Sequence, residues 1–470
     1  MNNRLIIFLI MAFHLVAGIL IISVFDGTGD AGDSIFHYLY ARSAPYHPEL
    51  YFDHWAKPLY VLIASPFAQF GFEGVKFMNL ILANLSLFFT YKLAKEWNLS
   101  HSHLAPLFLL FCPLFFVLTF SGLTEILFAF LLVFSLYLLV IDRLILSAII
   151  ISLLPFVRSE GLLFIGVLGV WFLYKKQFRF LPILLTGSLV YGIAGIPFHH
   201  DFLWVFRKVP YAKMSSTYGS GDPFHFVEQL IYVTGIPVYI LFWLGILSYI
   251  RSALQAKVRA DITLLLYGSV FTFTLAHSLF WYFGIFNSMG LNRVLISVLP
   301  LIAIIALQGF NLITMEIPPM KSLFSKTIKI MFIGYVVIFP FTSNPAAIDI
   351  KHDLSLNTDQ KVAQRIGQKI TEEKRNRVII TAHPYMCEVL EIDCFDSTRK
   401  KDLNMINLEK SQPGDLIVWE SWFAVIEKGV SKELLDKDPR FEMLYSINDI
   451  DHKDRIISYV VYERVPFPKK

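Results

Sequence analysis

Residues 26–58 read DGTGDAGDSIFHYLYARSAPYHPELYFDHWAKP, a polar stretch between two strongly apolar ones. Asp30 and Asp33 lie near its start, and His37 and Tyr38 follow in a run with helical character. Asp53, His54 and Lys57 stand near its end. At i, i+4 spacing Asp33 and His37 share one helical face. A carboxylate at a membrane surface can take the proton of an attacking nucleophile, which is general-base work. A lysine at the same level can meet a phosphate. Two plainer roles stay open: Asp33 after Gly32 also reads as a helix N-cap, and Lys57 as a lysine meeting lipid headgroups.

Further charges fall at the ends of apolar segments: Glu125, Arg158, Glu160 and Arg293. Acids that activate a nucleophile, combined with cations that hold a departing phosphate, form the mixture needed to transfer a group from a phosphate-bearing lipid. Residues 198–226 add Arg207, Lys208 and Lys213 among aromatics. That mixture suits a segment touching an anionic lipid-linked ligand, and equally an interfacial anchor. The part of the chain from residue 344 on shows no phosphate-binding glycine loop and no metal-ligand spacing. Apart from the Asp30/Asp33 pair no metal site is evident, so no cofactor is obligatory and a divalent metal is left open.

The elements that must position these residues are membrane helices. Of the 470 residues 55% are hydrophobic and 17% charged, against about 45–50% and about 25% in globular chains. Mean hydropathy is +0.57. The formal net charge of +4 is scattered rather than clustered, which argues against nucleic acid as a partner. Residues 5–25 are long enough to span the bilayer and read as a retained start-transfer helix. Residues 58–71 are too short and Pro-interrupted for a span and read as a helix at the membrane surface. Further spans are expected at 74–94, 103–120, 123–141, 181–198, 227–249, 262–283, 293–315 and 327–343.

Residues 145–174 carry PFVRSEG in their middle. The apolar run before it is only about 13 residues, roughly 20 Å of helix, and so shorter than a bilayer. Two short helices, 145–157 and 160–174, are expected, with Arg158 and Glu160 at their tip facing a cavity or a partner. The basic clusters then fall on one side: Arg4; Lys92 and Lys95; Arg143; Lys175, Lys176 and Arg179; Arg251, Lys257 and Arg259; Lys321, Lys326 and Lys329. By the positive-inside rule the N-terminus is cytoplasmic, the chain makes about 11 passes, and the polar first loop lies outside with the C-terminal part.

From residue 344 the composition becomes that of a soluble domain. A helix is expected over 357–374, and strands over 377–382, 415–420, 441–447 and 455–465. The expected organisation is a membrane domain over 1–343 and a small extracytoplasmic α/β domain over 344–470. Cys387 and Cys394 read either as a disulfide of an oxidising compartment or as two unpaired core residues.

Four islands, in order, carry a resemblance: GDSIFHYLYAR (32–42), YFDHWAKPLYVLIASPFAQFG (51–71), SGLTEILFAFLL (121–132) and NRVLISVLPLIAIIAL (292–307). Together with the layout they resemble the GT-C glycosyltransferases, in the branch of protein O-mannosyltransferases and lipid A aminoarabinose transferases. The resemblance implies a polytopic α-helical membrane enzyme that transfers a sugar from a polyprenyl-phosphate donor to a glycan, lipid or protein acceptor, by an inverting mechanism. It implies Asp33 as base, Lys57 as a donor-phosphate contact, Glu125 as the second-loop acid and Arg293 near the lipid phosphate. Arg158 and Glu160 resemble an R-x-E-G of mannosyltransferase-like members. The chain departs from the pattern in having Gly-Asp where many members have an acidic pair, which leaves Asp30 and Asp33 both as candidate bases. It also has Glu where the second loop often has Asp. A transporter or flippase, with Arg158, Glu160 and His277 along its path, is the alternative from another class, disfavoured by the absence of an internal repeat. A lipid-linked glycan ligase or polymerase would share the site.

Overall fold

A computed structural model describes residues 3–316, 322–370 and 372–466. Lys321 and the side chain of Lys326, used above for orientation, lie outside the described residues. The first helix, α1 (Asn3–Val24), exposes Phe8, Phe13, Val16, Leu20 and Val24 and buries only Ile7, His14 and Gly18. A helix with so wide an apolar exposed face belongs in lipid. Among the described residues, five helices are long and apolar enough to cross a membrane: Asn3–Val24, Phe72–Glu96, His225–Leu254, Ala260–Tyr282 and Asn292–Thr314. The chain is an integral membrane protein.

The chain continues through α2 (Asp33–Ser43), α3 (Pro58–Ala68), α4 (Phe72–Glu96), α5 (Ala105–Leu110), α6 (Pro113–Thr119) and α7 (Glu125–Val140). Next come α8 (Leu144–Leu153), α9 (Gly161–Tyr174), α10 (Thr186–Ala194), α11 (His225–Leu254), α12 (Ser269–Tyr282), α13 (Leu299–Glu316) and α14 (Ser322–Ile338). Helix α3 buries Leu59, Tyr60, Val61, Ala64 and Ala68 and exposes Leu62. Helices α8 and α9 form the expected bent hairpin, with Arg158 and Glu160 between them.

Two expected straight spans are broken. Residues 103–120 bend by 68° between α5 and α6, because Pro113 lacks the N–H that would continue the ladder. Residues 181–198 divide at Thr186 into a 3-10 stretch, Phe178–Leu185 with Pro182 inside, and α10. Helix α11 kinks at Gly235, whose φ of 70° is open to glycine; a Cβ there would lie 2.7 Å from the Phe339 ring.

The C-terminal part forms α15 (Thr358–Lys369) and a five-stranded sheet: β1 (Ile379–Thr381), β2 (Lys400–Asp402), β3 (Leu416–Glu420), β4 (Phe441–Ile450) and β5 (Ile456–Arg464). The order is β2-β1-β3-β5-β4, parallel among β2, β1 and β3 and antiparallel from β3 to β5 to β4. Alternation along the strands gives each face its own core. Ile380, Ile417, Trp419, Val460 and Tyr462 share one cluster. Ile379, Val418, Tyr459 and Val461 belong to a cluster continuous with the membrane helices. Helix α15 starts with a capping box, Asn357 and Gln360, and ends at Lys369, short of the expected residue 374. The three-residue β2 was not among the expected strands.

This part docks on the loop between α1 and α2 and on residues that follow it. Gly27 N–H donates to Leu354 O at 2.9 Å, Leu356 N–H to Asp26 Oδ1 at 3.1 Å, and Gln360 Nε2 to Thr28 Oγ1 at 2.9 Å. Arg42 pairs with Glu388 at 2.7 Å and His47 with Asp393 at 2.7 Å. Cys387 and Cys394 form a disulfide, and Cys112 is free and buried.

Candidate active site

Asp30 organises the entry to α2. Its Oδ1 accepts the N–H groups of Gly32 at 2.9 Å and Ser34 at 3.0 Å. Asp30 thus does the work that sequence offered to Asp33 as a cap. Asp33 is the first residue of α2, and its carboxylate accepts no backbone N–H among the described residues. Ser34 Oγ accepts the N–H of Gly122 at 2.7 Å. Tyr60 Oη donates to Gly122 O at 2.7 Å, and Asn79 Nδ2 to Ser121 O at 2.6 Å. Helices α2, α3 and α4 therefore grip the loop between α6 and α7 and set Glu125, the first residue of α7, beside the first loop.

Arg293 gathers the acids, donating through Nη1 to Asp30 and through Nη2 to Asp33. Its Nε lies 3.5 Å from Glu125 Oε1. Glu125 is fully buried and 2.6 Å from Arg158 Nη1. Arg158 Nη2 continues to Glu160 at 3.0 Å, and His277 Nε2 lies 3.6 Å from the same carboxylate. One network thus joins Asp30, Asp33, Arg293, Glu125, Arg158, Glu160 and His277, drawn from five separate parts of the chain. A charge as buried as that of Glu125 needs such pairing.

Lys57 has no hydrogen-bond or ion-pair partner among the described residues, although it lines the same cavity as Asp33, Arg158, Glu160 and Arg293. That cavity measures about 420 Å³. Lys57 takes a left-handed conformation, φ 69°, just before Pro58. A non-glycine residue held there stores backbone strain. The turn before it fixes the geometry: Asp53 Oδ1 accepts from Trp55 N–H at 2.8 Å and Ala56 N–H at 3.0 Å. Aromatics form part of the wall. His37 stacks on Trp55 with centroids 5.4 Å apart, and Trp55 Nε1 donates to Tyr211 Oη at 2.6 Å.

The electrostatics separate the two aspartates. Burial raises the Asp30 carboxyl above its ordinary value, with Arg293 opposing and the Asp33 charge adding to the rise. Burial acts the same way on Asp33, but Arg293 and the nearby His37 and Arg158 overcome it and leave Asp33 below the ordinary range. Burial lowers His37 to about 3, so its ring is neutral at physiological pH. Burial also lowers Lys57, with Glu160 opposing. Asp30 borders a second cavity of about 220 Å³, with His352, Asp353, Asn357 and Gln360, and does not line the first.

The structure thus brings Asp30, Asp33, Glu125, Arg158, Glu160 and Arg293 into one network, with Lys57 and His37 on its cavity. The other four candidate residues stand apart. Tyr38 points to Arg42 and Glu388, Asp53 builds the turn before Lys57, and His54 Nε2 meets Val205 O at 3.1 Å. Arg207 is exposed and paired with Asp201 at 3.1 Å. Sequence reasoning did not single out Trp55, Tyr211 or Asn287 on the cavity wall; a tryptophan between Asp53 and Lys57 was the one available signal.

No family model matches the chain, and no curated protein matches it. Solved structures do. The structure of ArnT from Cupriavidus metallidurans bound to undecaprenyl phosphate matches at 12% identity and a TM-score of 0.57, over 96% of this chain and 97% of that one. The apo structure of the same ArnT matches at 13% identity and a TM-score of 0.61, over the same shares. The chain has the GT-C fold that the order of its islands resembles.

Proposed function

We propose that the protein is a membrane glycosyltransferase whose donor is a sugar on a polyprenyl phosphate. The observation that carries this reading is the cavity lined together by Asp33, Arg158, Arg293 and Lys57, an ammonium without a partner among the described residues. A cavity holding a lysine, two arginines and a carboxylate, built on membrane helices, suits a lipid-linked anion and a proton acceptor together. The ArnT structure with undecaprenyl phosphate supports this choice of donor.

In this reading the donor phosphate enters between Lys57, Arg158 and Arg293. Drawing Arg293 toward phosphate releases Asp33 from its ion pair and makes it a stronger base. Asp33 takes the acceptor hydroxyl proton, and the acceptor oxygen bonds to the anomeric carbon from the face opposite phosphate. The carbon–oxygen bond to phosphate breaks, polyprenyl phosphate departs with its charge held by the three cations, and the anomeric configuration inverts. Asp33 is preferred to Asp30 because Asp30 already holds the helix entry and does not line the donor cavity. No cofactor is invoked, since the cations meet the phosphate charge and Arg293 engages both acids.

The five long helices, the bent pair α5–α6 and the shorter apolar helices other than Pro58–Ala68 support the reading of about 11 passes. The disulfide supports placing the C-terminal part on the oxidising, extracytoplasmic side. Mass spectrometry of cell-envelope glycans, lipids and glycoproteins with and without the protein tests the function. A hexose or pentose increment lost with the protein is expected, and identical profiles would refute the reading.

A further inference from the structure

The C-terminal part meets the first loop at a point the mechanism above does not use. Parallel strands β1 and β3 end side by side, and the chain leaves β1 toward His383 and β3 at Glu420. The connections leaving such neighbouring strands diverge, so their carboxyl ends open a crevice. Here a turn fills it. Glu420, 1% exposed, accepts the N–H of Trp422 at 2.6 Å and of Ala424 at 2.7 Å. Those bonds bend the chain at Phe423, which packs against His383 on the exit from β1.

One side of the Phe423 ring stands edge-on to His383, with centroids 5.0 Å apart. Its tip meets the first loop: a Cβ on Gly32 would lie 3.2 Å from Phe423 Cζ. Gly32 donates its N–H to Asp30 and directly precedes Asp33. The aromatic ring therefore rests on the peptide that links the two acids, and the absent side chain at position 32 makes room for it.

We propose that Phe423, held by Glu420, is a positioning residue for glycosyl transfer: by resting on Gly32 it sets the Asp30–Asp33 loop against Arg293. The inference rests on the function proposed above. Phe423 touches no reacting group; it acts through the loop. Sub-ångström placement of a base matters because reaction rates fall steeply when the near-attack geometry loosens.

The groups around Glu420 make this contact pH-dependent. His383 faces it, paired with Asp359 at 2.5 Å, Tyr459 lies beside both acids, and Arg455 acts on Asp359. Burial pushes the Glu420 carboxyl up to about 7, with His383 opposing and Asp359 adding to the rise. Above that pH the carboxylate accepts both N–H groups as charge-assisted bonds; below it one oxygen carries a proton and the turn loosens. The sign follows: kcat falls as pH drops through about 7.

The test uses the full chain in lipid nanodiscs, with synthetic undecaprenyl-phosphate hexose and pentose as donors and cell-envelope extract as acceptor. Released undecaprenyl phosphate is the readout. Phe423→Leu is expected to lower kcat by about tenfold with the donor KM unchanged. Glu420→Gln should remove the kcat step near neutrality. Gly32→Ala should impair turnover, and adding Phe423→Leu should restore part of it, because the new methyl meets that ring; such rescue also shows that the variants fold. Wild-type kcat and pH profile in Phe423→Leu and Glu420→Gln, a change in KM alone, or additive losses in the double variant would overturn the proposal. No release by the unsubstituted protein would overturn the donor reading instead, and this inference with it.

Discussion

Arg293 is the residue on which the site turns, because one guanidinium holds Asp30 and Asp33 and lies beside Glu125. Its attraction keeps Asp33 ionised below the ordinary carboxyl range. Removing it should let the Asp33 pKa rise, so the acid limb of kcat/KM for the residual activity of Arg293→Gln should move to higher pH. An acid limb that stays in place would show that Asp33 is not the titrating base. Lys57 is the complementary case, a cation without a protein partner among the described residues. Lys57→Ala should raise the donor KM by about tenfold or more, the cost of one charge-assisted bond to phosphate. Unchanged donor dependence would count against its role. Sequence placed both residues at helix ends and proposed phosphate contacts for each. It did not show that Arg293 spends its resting state on the aspartates, a pairing across 263 and 260 residues that no local pattern encodes.

At the scale of elements, α2 is held from two sides, by the loop between α6 and α7 through Ser34 and by the C-terminal part through residues 385–396. The disulfide closes a short loop whose cysteines adjoin Glu388 and Asp393, and these two acids pair with Arg42 and His47. Phe395, next to Cys394, packs edge-on to Tyr40 with centroids 4.6 Å apart. Replacing both cysteines by serine should cost about 2 kcal/mol by loop-closure entropy. Thermal unfolding of the purified variant measures it, and a midpoint equal to that of the oxidised wild type would show that the bridge carries no docking. Sequence left the pairing open because spacing alone does not bring two Cα atoms to 5.6 Å. Residues 145–174 were legible as a broken pair because charges interrupt the apolar run. The break at Thr186 was not, since Pro182 sits in an otherwise continuous apolar stretch. Strand β2, Lys-Lys-Asp, is a polar three-residue edge with no alternation to read.

For the whole molecule, the first loop lies between the membrane helices and the C-terminal part, and the charge network and its cavity are built from residues 30–294. Composition made the membrane bundle plain, and the order of the four islands pointed to the GT-C fold. The docking of the C-terminal part on residues 26–32 rests on scattered contacts, such as Gln360 to Thr28, that have no sequence signature. The proposed orientation makes exposed Thr398 extracytoplasmic and Lys95 cytoplasmic. In sealed right-side-out vesicles of a background lacking other accessible thiols, Thr398→Cys should react with an impermeant maleimide and Lys95→Cys only after lysis. The reverse pattern would invert the reading. The central claim, that Asp33 is the base of a transfer from polyprenyl phosphate, is tested most directly by steady-state turnover of Asp33→Asn in nanodiscs with an undecaprenyl-phosphate sugar. The account predicts a kcat lower by about 10²-fold or more with donor binding retained, and full turnover by Asp33→Asn would contradict it.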